Sequence, residues 1–323
     1  MFPRLLVLLV ALLIQSSFLL DISSALQEGK TCIANRNCDA GLHCETCIAN
    51  SGFRPRCSRT QPINPISKVQ SLFHQSKFFN GVRGFMLDMY DFQNDVWLCH
   101  SFNGMCFNFT AFQPAINILR EFQVFLEKNT EEVVTIIIED YVKSPNGLTK
   151  VFDAAGLRNF MFPVARMPKN GGDWPRLDDM VRQNQRLLVF TSDSRKEATE
   201  GIAYQWNYMV ENQYGNGGLK VGACPNRAQS KPMSDKSKSL VLVNHFPDAA
   251  DLIVACKQNS ASLLESIKTC YQAAGKRWPN FIAVDFYKRS NGGGAPQAVD
   301  IANGNLMCGC DNFAACKADG KCG

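Results

Sequence analysis

Five short apolar runs in this chain each end on a polar residue: GFMLD on Asp88, VTIIIE on Glu139, LLVFTSD on Asp193, LVLVNH on His245 and FIAVD on Asp285. Runs so short and so uniformly apolar, separated by stretches of helical periodicity, favour parallel strands covered on both faces. The pattern predicts strands at 84–89, 96–99, 133–138, 187–191, 240–243 and 281–284, with helices at 112–127, 148–155, 176–181, 262–274 and 296–302. A closed (β/α) barrel is the leading arrangement at this length, and an open doubly wound sheet is the alternative. In a barrel the five polar endings converge on the C-terminal face, where catalysis takes place. Ordinary capping of strand ends is the competing reading for any one of them.

The chain begins MFPRLLVLLVALLIQSSFLLDISSALQ, in which Arg4, an apolar stretch at 5–14 and the small residues Ser23, Ser24 and Ala25 predict a secretory signal cut after Ala25. A signal anchor is the alternative, because Phe18 to Leu20 prolong the apolar stretch. All fourteen cysteines lie beyond this segment, an even number that fits an oxidising compartment. Five of them, from Cys32 to Cys57, sit in polar sequence too poor in apolar residues to build a core. This predicts a disulfide-stapled module at 26–60 with one cysteine pairing outside it. The cluster Cys308, Cys310, Cys316 and Cys322 in a tail at 308–323 is the candidate partner, and 61–307 is then the barrel domain. The Cys44-x-x-Cys47 spacing reads as part of this framework before it reads as a zinc or redox site.

Asn108-Phe109-Thr110 is a glycosylation sequon, and the terminal GKCG carries no apolar tail of the kind a GPI signal needs. With 34 Lys and Arg against 29 Asp and Glu, the net charge is only +5. No basic run accompanies it, so a nucleic-acid partner is not expected.

The segment GVRGFMLDMYDFQNDVWLCHS reads as a hairpin. With Gln93-Asn94-Asp95 as its loop, Asp88 falls directly across from His100, close enough for an acid and an imidazole to share a site. A solvent-exposed pair is the alternative. Arg83 lies on the opposite face of the strand from Asp88, which makes it a structural arginine rather than a phosphate ligand.

GVRGFMLDMYDF, VWLCHS, EEVVTIIIEDY and RWPNFIAVDFY, in that order, resemble the X domain of phosphatidylinositol-specific phospholipase C, closest to the plant secreted proteins with a cysteine-rich amino-terminal segment and tail. The resemblance covers nearly all of the chain beyond the leader. It implies a distorted TIM (β/α) barrel of the PLC-like phosphodiesterase type, acting on a phosphoinositide or related phosphodiester lipid at a membrane surface. Two histidines act in that family: one deprotonates the inositol 2-hydroxyl, and the other protonates the departing diacylglycerol oxygen. By the resemblance, His100 holds the general-acid position and Asp285 orients the general base. Asp88 and Glu139 match two calcium-ligand positions, while Met86 stands where that metal-dependent branch has a glutamate. Tyr214, in VENQYG, and Asp193 are the implied substrate contacts.

The family's first histidine lies in a THNS-like motif after the first barrel strand, and here INPISKVQSLFHQSKFFNGVRG runs almost directly into the second. His74 is the one histidine in that stretch, and it lacks the flanking threonine, asparagine and serine. The shortened connection predicts a barrel incomplete at its first strand. Of the other histidines, His43 reads as a surface residue and His245 as a rim or core residue. Two functions remain open. One is a secreted phosphodiesterase by ancestry with an incomplete catalytic set, and the other is an inactive extracellular protein that binds inositol phosphate or lipid headgroups. A disulfide-rich structural protein of the cell wall is a third, less informative reading.

Overall fold

The computed structural model describes residues 25–50, 53–61, 69–70, 81–101 and 103–323. The leader before Ala25, and His74, lie outside the described residues. At the amino-terminal end β1 (Leu42–Glu45) and β2 (Arg56–Arg59) pair antiparallel, with Cys44 opposite Cys57. Disulfides Cys32–Cys44 and Cys38–Cys57 staple this module.

Eight parallel strands follow one another around a ring in chain order: β3 (Val69–Gln70), β4 (Val82–Phe92), β7 (Val134–Tyr141), β8 (Leu187–Thr191), β9 (Ala203–Tyr204), β10 (Met209–Glu211), β11 (Leu240–Asn244) and β12 (Phe281–Ala283), which returns to β3. The strands β5 (Asp95–Cys99) and β6 (Ala111–Pro114) extend the sheet beside β4. The ladder runs from β10 round to β9, and a single helical turn, Gln205–Tyr208, joins those two without pairing them. The result is a distorted α/β barrel open at one seam. Its first strand is present but only two residues long, against eleven in β4.

Helices cover the outside. In α1 (Ala115–Lys128) the buried residues Ile118, Leu119, Phe122, Phe125 and Leu126 recur with a helical period and form one stripe. That stripe packs with Leu87, Met89, Ile136, Ile138 and Val189 from the outward faces of the strands. Behind it run α2 (Gly147–Ala154), α3 (Leu177–Arg182) and α4 (Arg195–Glu200), and the ring closes with α5 (Leu252–Lys257), α6 (Leu263–Ala273) and α7 (Gly294–Cys308). Side chains alternate along strands, so the inward set is different: Met86, Ile137, Leu188, Phe190, Leu242, Phe281 and Ala283 fill the barrel. They make an apolar floor beneath the strand ends.

The hairpin register differs from the sequence expectation by one residue. Met89 opposes Leu98 and Phe92 opposes Asp95, so the turn is the two-residue Gln93-Asn94, both with positive φ (51° and 61°). Such turns match the right-handed twist of the flanking strands. The register carries Asp88 towards Cys99 instead of His100. Arg83 is structural, as its parity predicts: both arms of its guanidinium meet Glu132 at 2.7 Å on the outer face.

All fourteen cysteines pair, and the odd one of the module does leave it. Its partner is Cys256 in α5, whereas the tail cysteines close on themselves as Cys308–Cys316 and Cys310–Cys322. Both members of the CxxC are thereby committed to disulfides. The remaining bridges are Cys99–Cys106 and Cys224–Cys270.

Candidate active site

Above the apolar floor the inward positions turn polar. Asp88 and Glu139 are register partners on β4 and β7, two carboxylates side by side. One step further out, Tyr90 and Tyr141 stack at 4.4 Å, and the Tyr141 hydroxyl donates to Glu139 Oε1 at 2.5 Å. Met86, two residues below Asp88, packs into the floor. The position where the family carries a glutamate is therefore an apolar one here.

Arg227 reaches the same space from the loop before β11. Its Nη1 meets Glu211 Oε1 at 3.0 Å, and Glu211, fully buried at the end of β10, also accepts from Gln205, Trp206 and Asn244. These four donors fix the carboxylate, and the carboxylate fixes the arginine. The guanidinium lies over the Tyr214 ring at 4.7 Å and the Trp206 ring at 5.3 Å. Tyr214 in turn stacks on Phe246 at 6.3 Å. Gly215 follows with positive φ, and a Cβ there would strike the Asp248 carboxylate, so the chain can turn at Tyr214 only through glycine.

The electrostatics follow from this crowding. Burial, with the neighbouring Glu139 charge, pushes Asp88 up to about 8, although Arg227 pulls the other way. Burial and the same carboxylates push Tyr90 to about 12 and raise Tyr141 further. Burial works against charge on Arg227, yet Glu211 and Glu139 outweigh it and hold its proton more tightly than usual. Among the described residues, no hydrogen bond or ion pair engages the Asp88 carboxylate. Two hard carboxylates, one of them unsatisfied, fit a weakly held calcium ion, which takes six to eight oxygens in all. Asp88 and Glu139 would hold it, and it would supply positive charge against a phosphate.

The other predicted site residues are placed less uniformly. His100 follows β5 on the exposed end of the hairpin, tied through its backbone to Thr110. Asp285 follows β12 on the inward parity, half-buried, with its carbonyl accepting from Asn259 at 2.7 Å. Two of the five polar endings are held by other groups. Asp193 caps the start of α4, bound by Arg195 Nε at 2.9 Å, and that bond holds its carboxyl down at about 2. His245 points into the helix layer, where Nε2 meets the Gln258 carbonyl at 3.1 Å, and burial lowers it to about 4. Asn108 sits exposed in a turn, as a glycosylation site requires.

Sequence reasoning missed Glu211, Arg227 and Asn244. Glu211 does end an apolar run in YMVE, but β10 is only three residues long and gives almost no strand pattern.

The chain matches the family model described as PI-PLC X 1 over residues 64–300. A PI-PLC X domain-containing protein of Arabidopsis thaliana is 46% identical over 357 residues, covering 97% of this chain and 83% of the relative. That alignment is longer than the 323-residue chain, so the relative carries segments with no counterpart here. Phosphatidylinositol-specific phospholipase C from Staphylococcus aureus overlaps at a TM-score of 0.41 with 12% identity, over 71% of this chain and 79% of that one. The enzyme from Listeria monocytogenes overlaps at 0.41 with 14% identity, over 69% and 80%.

Proposed function

The chain belongs to the PI-PLC X family, and from that membership we propose that it is a phosphoric diester hydrolase by descent, directed at phosphatidylinositol or a related phosphodiester lipid, with its cleavage step crippled by the loss of one imidazole. The observation that carries this reading is the distribution of histidines. Among the described residues His100 is the one exposed histidine, since His245 is sealed in the helix layer and His43 is half-buried in the module.

His100, exposed beside the carboxylate pair's strand, is placed to protonate a departing lipid oxygen. Arg227 and Tyr214 offer a cationic and an aromatic surface to a ring bearing hydroxyls and phosphate. Asp285, following β12 on the inward parity, would be the carboxylate that orients a base in the family. Loss of a general base costs roughly two to four orders of magnitude in rate.

A second reading has its own support. The Glu211-anchored Arg227 and its Tyr214 stack are built without any catalytic histidine, and suit a protein that binds inositol phosphate headgroups without cleaving them. Seven disulfides support an extracellular setting for either reading.

Release of inositol phosphate from phosphatidylinositol vesicles, measured for the full chain and for His100→Ala, tests the proposal, with calorimetric binding of inositol 1-phosphate beside it. The expected result is binding with slow turnover that falls further in His100→Ala. Turnover at the rate of the longer Arabidopsis relative would sink the claim of a crippled step, and turnover indifferent to His100→Ala would sink the acid assignment. Binding with no turnover at all selects the second reading.

A further inference from the structure

We propose that the cysteine-rich module is a positioning element of the candidate site, in which buried Glu45 clamps the segment 285–292 that follows β12 at the barrel mouth. The proposal rests on the headgroup reading above for its consequence, but not for its geometry.

Glu45 ends β1 with its side chain 1% exposed, and the Arg289 guanidinium and the His43 imidazole close on it. Arg289 Nε lies 2.8 Å from Oε1 and His43 Nε2 lies 2.8 Å from Oε2, as ion-pair contacts whose angles fall short of hydrogen bonds. Arg289 belongs to the segment that begins at Asp285. A buried carboxylate without a cation is strongly disfavoured, so Glu45 and Arg289 hold one another in place.

Neighbouring contacts tie the same segment to the module. Ser58 Oγ donates to the Ser290 carbonyl at 3.1 Å and accepts from Gly292 N at 3.2 Å, and Arg59 N donates to the Gly292 carbonyl at 3.0 Å. Arg59 also pairs with buried Asp300 in α7. On the other side, Asn259 Nδ2 donates to the Asp285 and Phe286 carbonyls at 2.7 and 3.3 Å, and Asn291 N donates to Ser260 Oγ at 2.8 Å. The Cys47–Cys256 bridge fastens the module to α5, which leads into the Gln258–Ser262 turn bearing Asn259 and Ser260.

The segment needs this grip. Phe286 sits at φ 46°, in the left-handed region that a non-glycine residue enters only when its surroundings impose it. It is also exposed, at the rim next to Asp285. Module contacts on Ser290 and Gly292, together with helix contacts on Asp285 and Phe286, hold this conformation from both ends. The module thus shapes the wall of the mouth beside β12 and β3.

The test compares the full chain with Glu45→Gln and Ser58→Ala by amide hydrogen exchange and by binding of inositol 1-phosphate. Exchange at residues 289–292 is expected to speed about ten-fold in each variant while α6 and α7 keep their protection. Affinity for inositol 1-phosphate should fall several-fold at a temperature well below unfolding. Unchanged exchange in both variants, or equal loosening of α6 and α7, would overturn the clamp. Local loosening in a chain whose parent binds no inositol 1-phosphate would support the clamp and count against the headgroup reading instead. Ser58→Ala removes one hydroxyl only, so the test stands even if Glu45→Gln fails to fold.

Discussion

Asp88 and Glu139 occupy the same level of adjacent parallel strands, so two carboxylates share one desolvated face, which Arg227 partly offsets. Folded Asp88 keeps its proton to about 8, whereas in the unfolded chain it loses it near 4. Between those values the folded state binds more protons, and stability falls as pH rises. Asp88→Asn removes that penalty. Thermal unfolding should therefore show the variant more stable than the parent at pH 8.5 and equal to it at pH 4; an equal difference at both would show that Asp88 ionises freely.

Calcium should act through the same pair. Two carboxylates and no third protein acid at Met86 predict a dissociation constant of about 1 mM, so about 10 mM Ca2+ should stabilise by about 1.4 kcal/mol. That corresponds to a rise in Tm of about 2–4 °C. The shift should appear at pH 8.5, vanish at pH 5 where Asp88 is protonated, and be absent in Asp88→Asn. A shift that survives this substitution would place the ion elsewhere.

His245 works in the opposite direction. Burial lowers it to about 4 from an ordinary value near 6.5, although the Gln258 carbonyl, 3.1 Å from Nε2, pulls the other way because it accepts from the charged ring as well. The unfolded chain binds a proton between these values and the folded chain does not. Its contribution is complete above pH 6.5 and lost as pH falls towards 4, by about 3 kcal/mol. His245→Gln, which keeps a donor near that carbonyl, should flatten this acid limb in urea titrations at pH 4 and pH 7.

The sequence made some of this legible for physical reasons. The strand 187–191 was readable to the residue because four consecutive apolar side chains and Thr191 are buried on both faces. The hairpin was readable, but its register was not, because choosing between a two-residue and a three-residue turn depends on left-handed φ values at Gln93 and Asn94. Asp88 and Glu139 end the apolar runs within long strands and announced themselves. Arg227 comes from a loop with no periodicity, and its partner Glu211 from a three-residue strand, so nothing local joined them. His245 was legible as a rim or core residue, and it is buried because it lies one residue beyond the last inward position of β11.

Arg227 carries the sharpest prediction for the mouth, because its charge and its plane do separate things. Removing the charge strands Glu211, which is fully buried, so Arg227→Met should destabilise by about 3–5 kcal/mol. Adding Glu211→Gln should recover most of that loss, since no buried charge then remains unpaired. Arg227→Lys keeps a cation for Glu211 but gives up the planar stack on Tyr214, which lies 4.7 Å from the guanidinium carbon. It should unfold within about 1 kcal/mol of the parent while binding inositol 1-phosphate about ten-fold more weakly, because a flexible ammonium holds neither the phosphate fork nor the ring. Equal binding by the lysine variant would reduce Arg227 to a counterion for Glu211 and move headgroup recognition to another wall of the barrel.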